Sequence, residues 1–359
     1  MRVFQVTPAL NYGDAVSNDA LAIRRILREE GYESDIYALI LDSRLPEGEA
    51  YYLDEMPEPE KEDILLYHGA IGTELTRKLE AYACKKVMIF HNITPPEFFR
   101  PYSRTLTRLT EMGYAEIREM AKIFDRCIAD SEYNKQTLRE QGYECEIDVC
   151  PIVIPFEDYE REPDEAVLEK YRGQKGTNLL FVGRIVPNKK QEDIIRAFAA
   201  YREAYDPDAR LFLVGTRGTD MEKYEDRVKE YIKELGLEGK AILTGHVSFR
   251  EILAYYRLAD AFVCMSEHEG FCVPLLEAMK FEKPIVAFKA GAVPDTLGDG
   301  GLLLEEKEPY TVAAAVNRVV KDEGLREKIL KAQERILGEM SYESVKQIFL
   351  KCFENIIQN

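Results

Sequence analysis

Short apolar runs alternate with longer segments whose apolar residues recur at helical spacing, from one end of the chain to the other. Residues 3–6 predict a first strand, and residues 17–30 a helix that buries Leu21, Ile23, Ile26 and Leu27 on one face. Further strands are expected at 35–40, 64–67, 87–90, 126–129 and 145–149. The rhythm then breaks: Pro151 and Pro155 open a polar, acidic stretch that lasts to about Thr177. A second series follows, with strands at 179–182, 211–214, 241–243, 261–265, 284–287 and 301–304. Alternation of this kind predicts an α/β protein with parallel sheets. The break predicts a domain boundary near residues 155–175, giving domains 1–160 and 161–341 and a final amphipathic helix at 342–359. Residues 47–63 hold eight acidic groups against the single Lys61, with Pro57 and Pro59, and are read as a solvated surface loop.

The chemistry concentrates after the run Ala261-Phe262-Val263-Cys264-Met265, which reads as a buried parallel strand. There Glu269 and Glu277 stand eight residues apart around Gly270 and Pro274. Pro274 suits the first position of a helix, where its missing N–H costs nothing. Glu269, Gly270 and Phe271 then lie in a strand-to-helix loop, and Glu277 about one turn inside the helix. Free N–H groups and the positive helix end at such a junction suit a phosphate. A carboxylate one turn further in accepts hydrogen bonds from sugar hydroxyls, as in dinucleotide sites. The combination has the shape of a nucleotide-diphosphate site.

This spacing resembles the E-x7-E motif of the retaining, family-4 glycosyltransferases of GT-B fold. Phe181-Val182-Gly183-Arg184-Ile185-Val186-Pro187-Asn188-Lys189-Lys190 is similar to the family element whose Arg and Lys hold the donor diphosphate. Leu243-Thr244-Gly245-His246-Val247-Ser248 resembles the loop beside the nucleobase, and Lys289-Ala290-Gly291-Ala292-Val293-Pro294-Asp295 the G-x-P-E segment, with Asp for Glu. The resemblance implies two Rossmann-like domains facing each other across a cleft, acceptor mainly in the first and donor in the second. It also implies that the last helix crosses back to the first domain. The reaction it implies is retaining transfer of a hexosyl unit from a UDP- or GDP-sugar to a glycan or glycolipid acceptor, with no cofactor beyond that donor. Arg184 and Lys189 would hold the diphosphate, aided by the amides of Gly270, Phe271, Cys272 and Val273, with His246 beside the base. Glu277 would bind ribose, or else only the helix dipole; Glu269 would face the transferred sugar, or organise its loop. Lys190, where relatives often have Gly, either points away or shares the phosphate role. In the first domain, Gly13 would approach the donor, His68 would serve the reaction centre and His91 the acceptor side. Each histidine also has an ordinary structural alternative.

A formal charge of −17 argues against general nucleic-acid binding, which needs a basic footprint. The seven cysteines form no CxxC and read as reduced thiols of a cytoplasmic protein. No stretch approaches the ~20 apolar residues of a membrane helix, and the opening apolar run is too short for a signal peptide. The chain is therefore expected to be soluble, or peripheral on the inner membrane face. No metal is expected: the one D-x-D, Asp206-Pro207-Asp208, precedes a strand instead of following one, and His68, His91, His246 and His268 have no ligand spacing. Arg100, Arg104 and Arg108 recur every four residues on an expected helix, either as a solvated face or as a surface for an anionic acceptor or membrane. Two other functions share the phosphate site: a GT-B nucleotide-sugar epimerase or hydrolase, and a non-catalytic nucleotide-sugar-binding subunit.

Overall fold

The computed structural model describes residues 1–73 and 75–358, without the side chains of Thr76 and Arg77. The chain divides into two compact units, Met1–Pro96 with Leu106–Pro155 and Glu339–Asn359, and Glu97–Thr105 with Phe156–Gly338.

The first unit holds seven strands: β1 (Arg2–Leu10), β2 (Glu33–Leu41), β3 (Tyr51–Tyr52), β4 (Ile64–Gly69), β5 (Lys85–Phe90), β6 (Arg126–Ala129) and β7 (Glu146–Val149). They pair in parallel in the order β3-β2-β1-β4-β5-β6-β7. Helices cover both faces, so the inner strands β4 and β5 are nearly continuous apolar runs. The first helix, Ala15–Glu29, is capped by Asp14, whose carboxylate accepts from the N–H groups of Val16 and Ser17. The final helix, Tyr342–Gln358, lies in this unit. Val345, Phe349, Phe353 and Ile356 are buried there with Val3, Ile23, Ile64 and Val87.

The second unit holds β8 (Asn178–Val182), β9 (Arg210–Val214), β10 (Ala241–Gly245), β11 (Ala261–Cys264), β12 (Ile285–Phe288) and β13 (Leu302–Leu304). Their order is β10-β9-β8-β11-β12-β13, again all parallel. In each sheet the chain winds outward from the first strand in one direction and then in the other. That leaves a crevice beyond the strands' carboxyl ends at the reversal, between β1 and β4 and between β8 and β11.

Three expectations change in detail. The acid-rich stretch 47–63 is not all loop: β3 extends the sheet at its edge, and Leu53 in the following single-turn helix is buried. The helix expected to carry Arg100 begins at Arg104, because Tyr102 and Ser103 both turn back to donate to the Phe99 carbonyl, at 2.9 and 2.8 Å. The segment Glu97–Thr105 also belongs with the second unit. There the Tyr102 ring meets the edge of Tyr224 at 5.0 Å, and the Ser103 hydroxyl donates to Asp220. Arg100 and Arg104, expected on the acceptor side of the first domain, are thus exposed on the second unit, with Arg100 off the helix.

Candidate functional site

The second sheet reverses between β8 and β11, and the two loops that leave these strands carry the cations and carboxylates the sequence singled out. After β8, Gly183 and exposed Arg184 lead to a single 3-10 turn, Pro187–Lys189. Lys190 follows at φ +52°, ψ +50°, a left-handed conformation that favours glycine, and then the helix Gln191–Ala204 begins. Lys190 turns to Glu267 at 2.9 Å and lies over the Phe98 ring, 5.8 Å from its centroid. The diphosphate candidates are therefore Arg184 and Lys189.

After β11, the loop runs through Glu269 to Cys272, at φ +76°, and into the helix Val273–Lys280, whose N-terminus has no side-chain cap. The amides of Gly270, Phe271, Cys272 and Val273 lie along this entry. The helix starts one residue before Pro274. Hydrogen bonds from two sides hold the loop. The Asn188 amide donates to the His268 carbonyl at 3.0 Å, and the Glu267 N–H donates to the Asn188 carbonyl at 2.8 Å. From the other side, the Ala292 N–H donates to the Glu269 carbonyl at 3.0 Å, and the Thr296 hydroxyl donates to the Phe271 carbonyl. Gly291 makes this approach possible: at φ +53°, an added Cβ would lie 2.6 Å from the Glu269 carbonyl oxygen.

Lys189 and Glu269 are brought into direct contact: the ammonium donates to both carboxylate oxygens at 2.6 Å. Both are largely buried, with 15 % and 7 % of their side chains exposed. Burial works against the Lys189 charge, but Glu269 outweighs it and holds the ammonium above its usual pKa. Glu277, one turn into the helix, accepts from the hydroxyls of Tyr159 and Tyr256, each at 2.6 Å. Burial raises its pKa and the two hydroxyls pull it back. His246 is exposed just past β10, two strands away from β8, to one side of the crevice. The D-x-D at residues 206–208 is a turn: Asp206 accepts from the Thr177 N–H and hydroxyl at 2.7 Å and from the Asp208 N–H at 3.0 Å.

In the first unit, Gly13 at φ +81° is exposed just beyond β1. His68 lies within β4, fully buried, and His91 follows β5 with its ring almost entirely enclosed. The two rings are nearly coplanar, with planes 2° apart and centroids separated by 5.2 Å. His68 Nδ1 meets His91 Nε2, His68 Nε2 meets Gln5 Oε1 and His91 Nδ1 meets Asp130 Oδ2, all at 2.9 Å. Burial lowers the His68 pKa well below its ordinary value. It works against His91 too, but the Asp130 carboxylate raises that one. With the Gln5 oxygen as acceptor, a His91 imidazolium donating to Asp130 and His68 and a neutral His68 donating to Gln5 satisfies the chain. Both nitrogens of both rings are then engaged. In this conformation the two rings hold each other and Asp130.

Among the described residues, two groups bring ligand-type atoms within 4.8 Å of one another, Cys264 with Glu269 and Cys272, and Asp19 with His68 and His91. In the first, Lys189 already occupies Glu269; in the second, the histidines occupy each other. Sequence reasoning missed Tyr159, Tyr256, Asn188, Gly291 and Asp130. Asn188 and Gly291 stood inside the quoted motifs, and Asp130 immediately follows an expected strand. Tyr159 and Tyr256 carry no such signal.

Residues 165–335 match the model of the family described as glycosyl transferases group 1. The chain is 25 % identical over 331 residues to the O-antigen chain mannosyltransferase B of Escherichia coli, covering 90 % of this chain and 80 % of that protein. It is 26 % identical over 239 residues to the lipopolysaccharide 1,2-N-acetylglucosaminetransferase of Salmonella typhimurium, covering 64 % and 62 %. Among solved structures it resembles Anabaena HepE in complex with UDP-glucose, with a TM-score of 0.76 and 18 % identity over 99 % of this chain and 100 % of that one. The two parallel sheets and this likeness define a GT-B fold. The match lies within the second unit, and the chain is a glycosyltransferase of GT-B fold.

Proposed function

We propose that this enzyme moves a hexosyl unit from a UDP- or GDP-sugar to a glycan or glycolipid acceptor, with retention of configuration and without a metal ion. The observation that carries the reading is the Lys189–Glu269 pair at the reversal of the second sheet, with Arg184 on the same loop after β8 and Glu277 one turn into the helix after β11. Fixed cations and helix-end amides aimed at a leaving diphosphate do the work that a divalent ion does elsewhere. The bond from the sugar's anomeric carbon to the diphosphate oxygen breaks and a bond to the acceptor hydroxyl forms. The hydroxyl proton passes to the departing diphosphate. The structure with UDP-glucose bound to HepE supports a nucleotide-sugar donor, and the O-antigen and lipopolysaccharide relatives support a glycan or glycolipid acceptor.

Arg184 is exposed, so its replacement tests binding without disturbing the fold. Arg184→Ala is expected to weaken UDP or GDP binding about ten- to a hundredfold, the effect of one charge-assisted hydrogen bond. Transfer is expected to require acceptor and to survive EDTA. Unchanged nucleotide affinity overturns the diphosphate assignment, and inactivation by EDTA that Mn²⁺ restores overturns the metal-free part.

A further inference from the structure

Glu277 accepts from two phenols that come from different parts of the second unit. Tyr159 belongs to the single-turn helix Phe156–Glu160, and Tyr256 to the helix Phe249–Leu258. One hydroxyl reaches Oε1 and the other Oε2, both at 2.6 Å. The rings that carry them are wedged. Tyr256 is fully buried and stacks on Phe281 at 5.0 Å with the planes 4° apart. Tyr159 meets the edges of Phe249 at 5.2 Å and Phe281 at 6.4 Å. An ionised carboxylate has about four acceptor positions, of which the phenols take two.

We propose that Tyr159 and Tyr256 are positioning residues that clamp Glu277 in one rotamer and leave its two remaining acceptor positions for a pair of ribose hydroxyls. The inference rests on the ribose reading of Glu277 and extends it to residues outside the E-x7-E motif. A free glutamate one turn into a helix samples several rotamers and gives up that freedom on binding; a clamped one is already set. The phenols also hydrogen-bond the charged carboxylate against the cost of its burial. Among the described residues no charged side chain shifts Glu277 appreciably, whereas Asp158 acts on Tyr159 and Cys272 on Tyr256. Burial opposes the carboxylate's ionisation, and these two hydroxyls support it.

The test is calorimetry of UDP, GDP and their 2′-deoxy counterparts between about pH 5.5 and 8.5. It compares wild type with Tyr256→Phe, Tyr159→Phe and Glu277→Gln, with melting temperatures measured alongside. Each phenylalanine keeps the ring and removes one hydroxyl. The expected result in both variants is about a five- to tenfold loss of ribonucleotide affinity near neutral pH. That loss should grow as pH falls, because a Glu277 deprived of one hydroxyl protonates at higher pH. The preference for ribo- over 2′-deoxynucleotide should shrink with it. Uniform weakening at all pH values with an intact ribose preference, or wild-type binding in both variants, overturns the clamp. If Glu277→Gln binds both nucleotides as wild type does, or if wild type binds neither, the ribose reading itself fails.

Discussion

Lys189 and Glu269 were each expected to contact a ligand, and the structure pairs them with each other. The pair explains how two oppositely charged groups are tolerated at 15 % and 7 % exposure. Removing one partner strands a buried charge, at a cost of about 3–5 kcal/mol, whereas a neutral pair of similar size restores most of it. Lys189→Ala is therefore expected to lower the melting temperature as well as nucleotide affinity. The double variant Lys189→Met/Glu269→Gln should recover stability but not binding. Thermal unfolding run beside UDP and GDP titrations checks this, and a single variant that melts like wild type contradicts the pairing. Neither the pairing nor the His68–His91–Asp130 chain was legible in the sequence. Glu269 and Lys189 are 80 residues apart, and His91 and Asp130 are 39 apart.

At the scale of elements, the E-x7-E loop depends on the segment that follows β12. Gly291 is left-handed at φ +53°, and its missing Cβ lets the segment after β12 press on the Glu269 backbone. Gly291→Ala adds left-handed strain of about 1–2 kcal/mol and a clash with backbone that cannot swing aside. It is expected to lower stability and to displace Glu269, so that nucleotide affinity and transfer fall together. Melting curves and transfer assays on one preparation decide this, and full transfer activity in Gly291→Ala would count against a fixed loop. The motif was visible in the sequence as a Gly preceding a Pro and an Asp. What the glycine avoids is visible only where the two loops meet.

For the whole molecule, the last helix is the clearest case of distant sequence completing a core. Val345, Phe349, Phe353 and Ile356 are each at most 1 % exposed, among side chains from β1, β4 and β5. Burying four such side chains contributes about 6–12 kcal/mol, comparable to the full stability of a domain. Ending the chain at Ser341 is thus expected to leave the first unit unfolded or aggregated, and Phe353→Ala to cost about 3–5 kcal/mol. Soluble yield and denaturant unfolding give the readout, and a truncated chain with a native circular dichroism spectrum and melting point would refute it.

Alternating strands and helices, the break between the two series and the E-x7-E junction were all written locally, in periods of two and 3.6 residues and in glycine and proline placement. They determined the parallel α/β class and the region of the donor-type site. The strand orders, the transfer of Glu97–Thr105 to the second unit, the Lys189–Glu269 pair and the two phenols on Glu277 were decided by tertiary structure. Each depends on which side chains meet after burial, and burial is a property of the packed chain that no local pattern records.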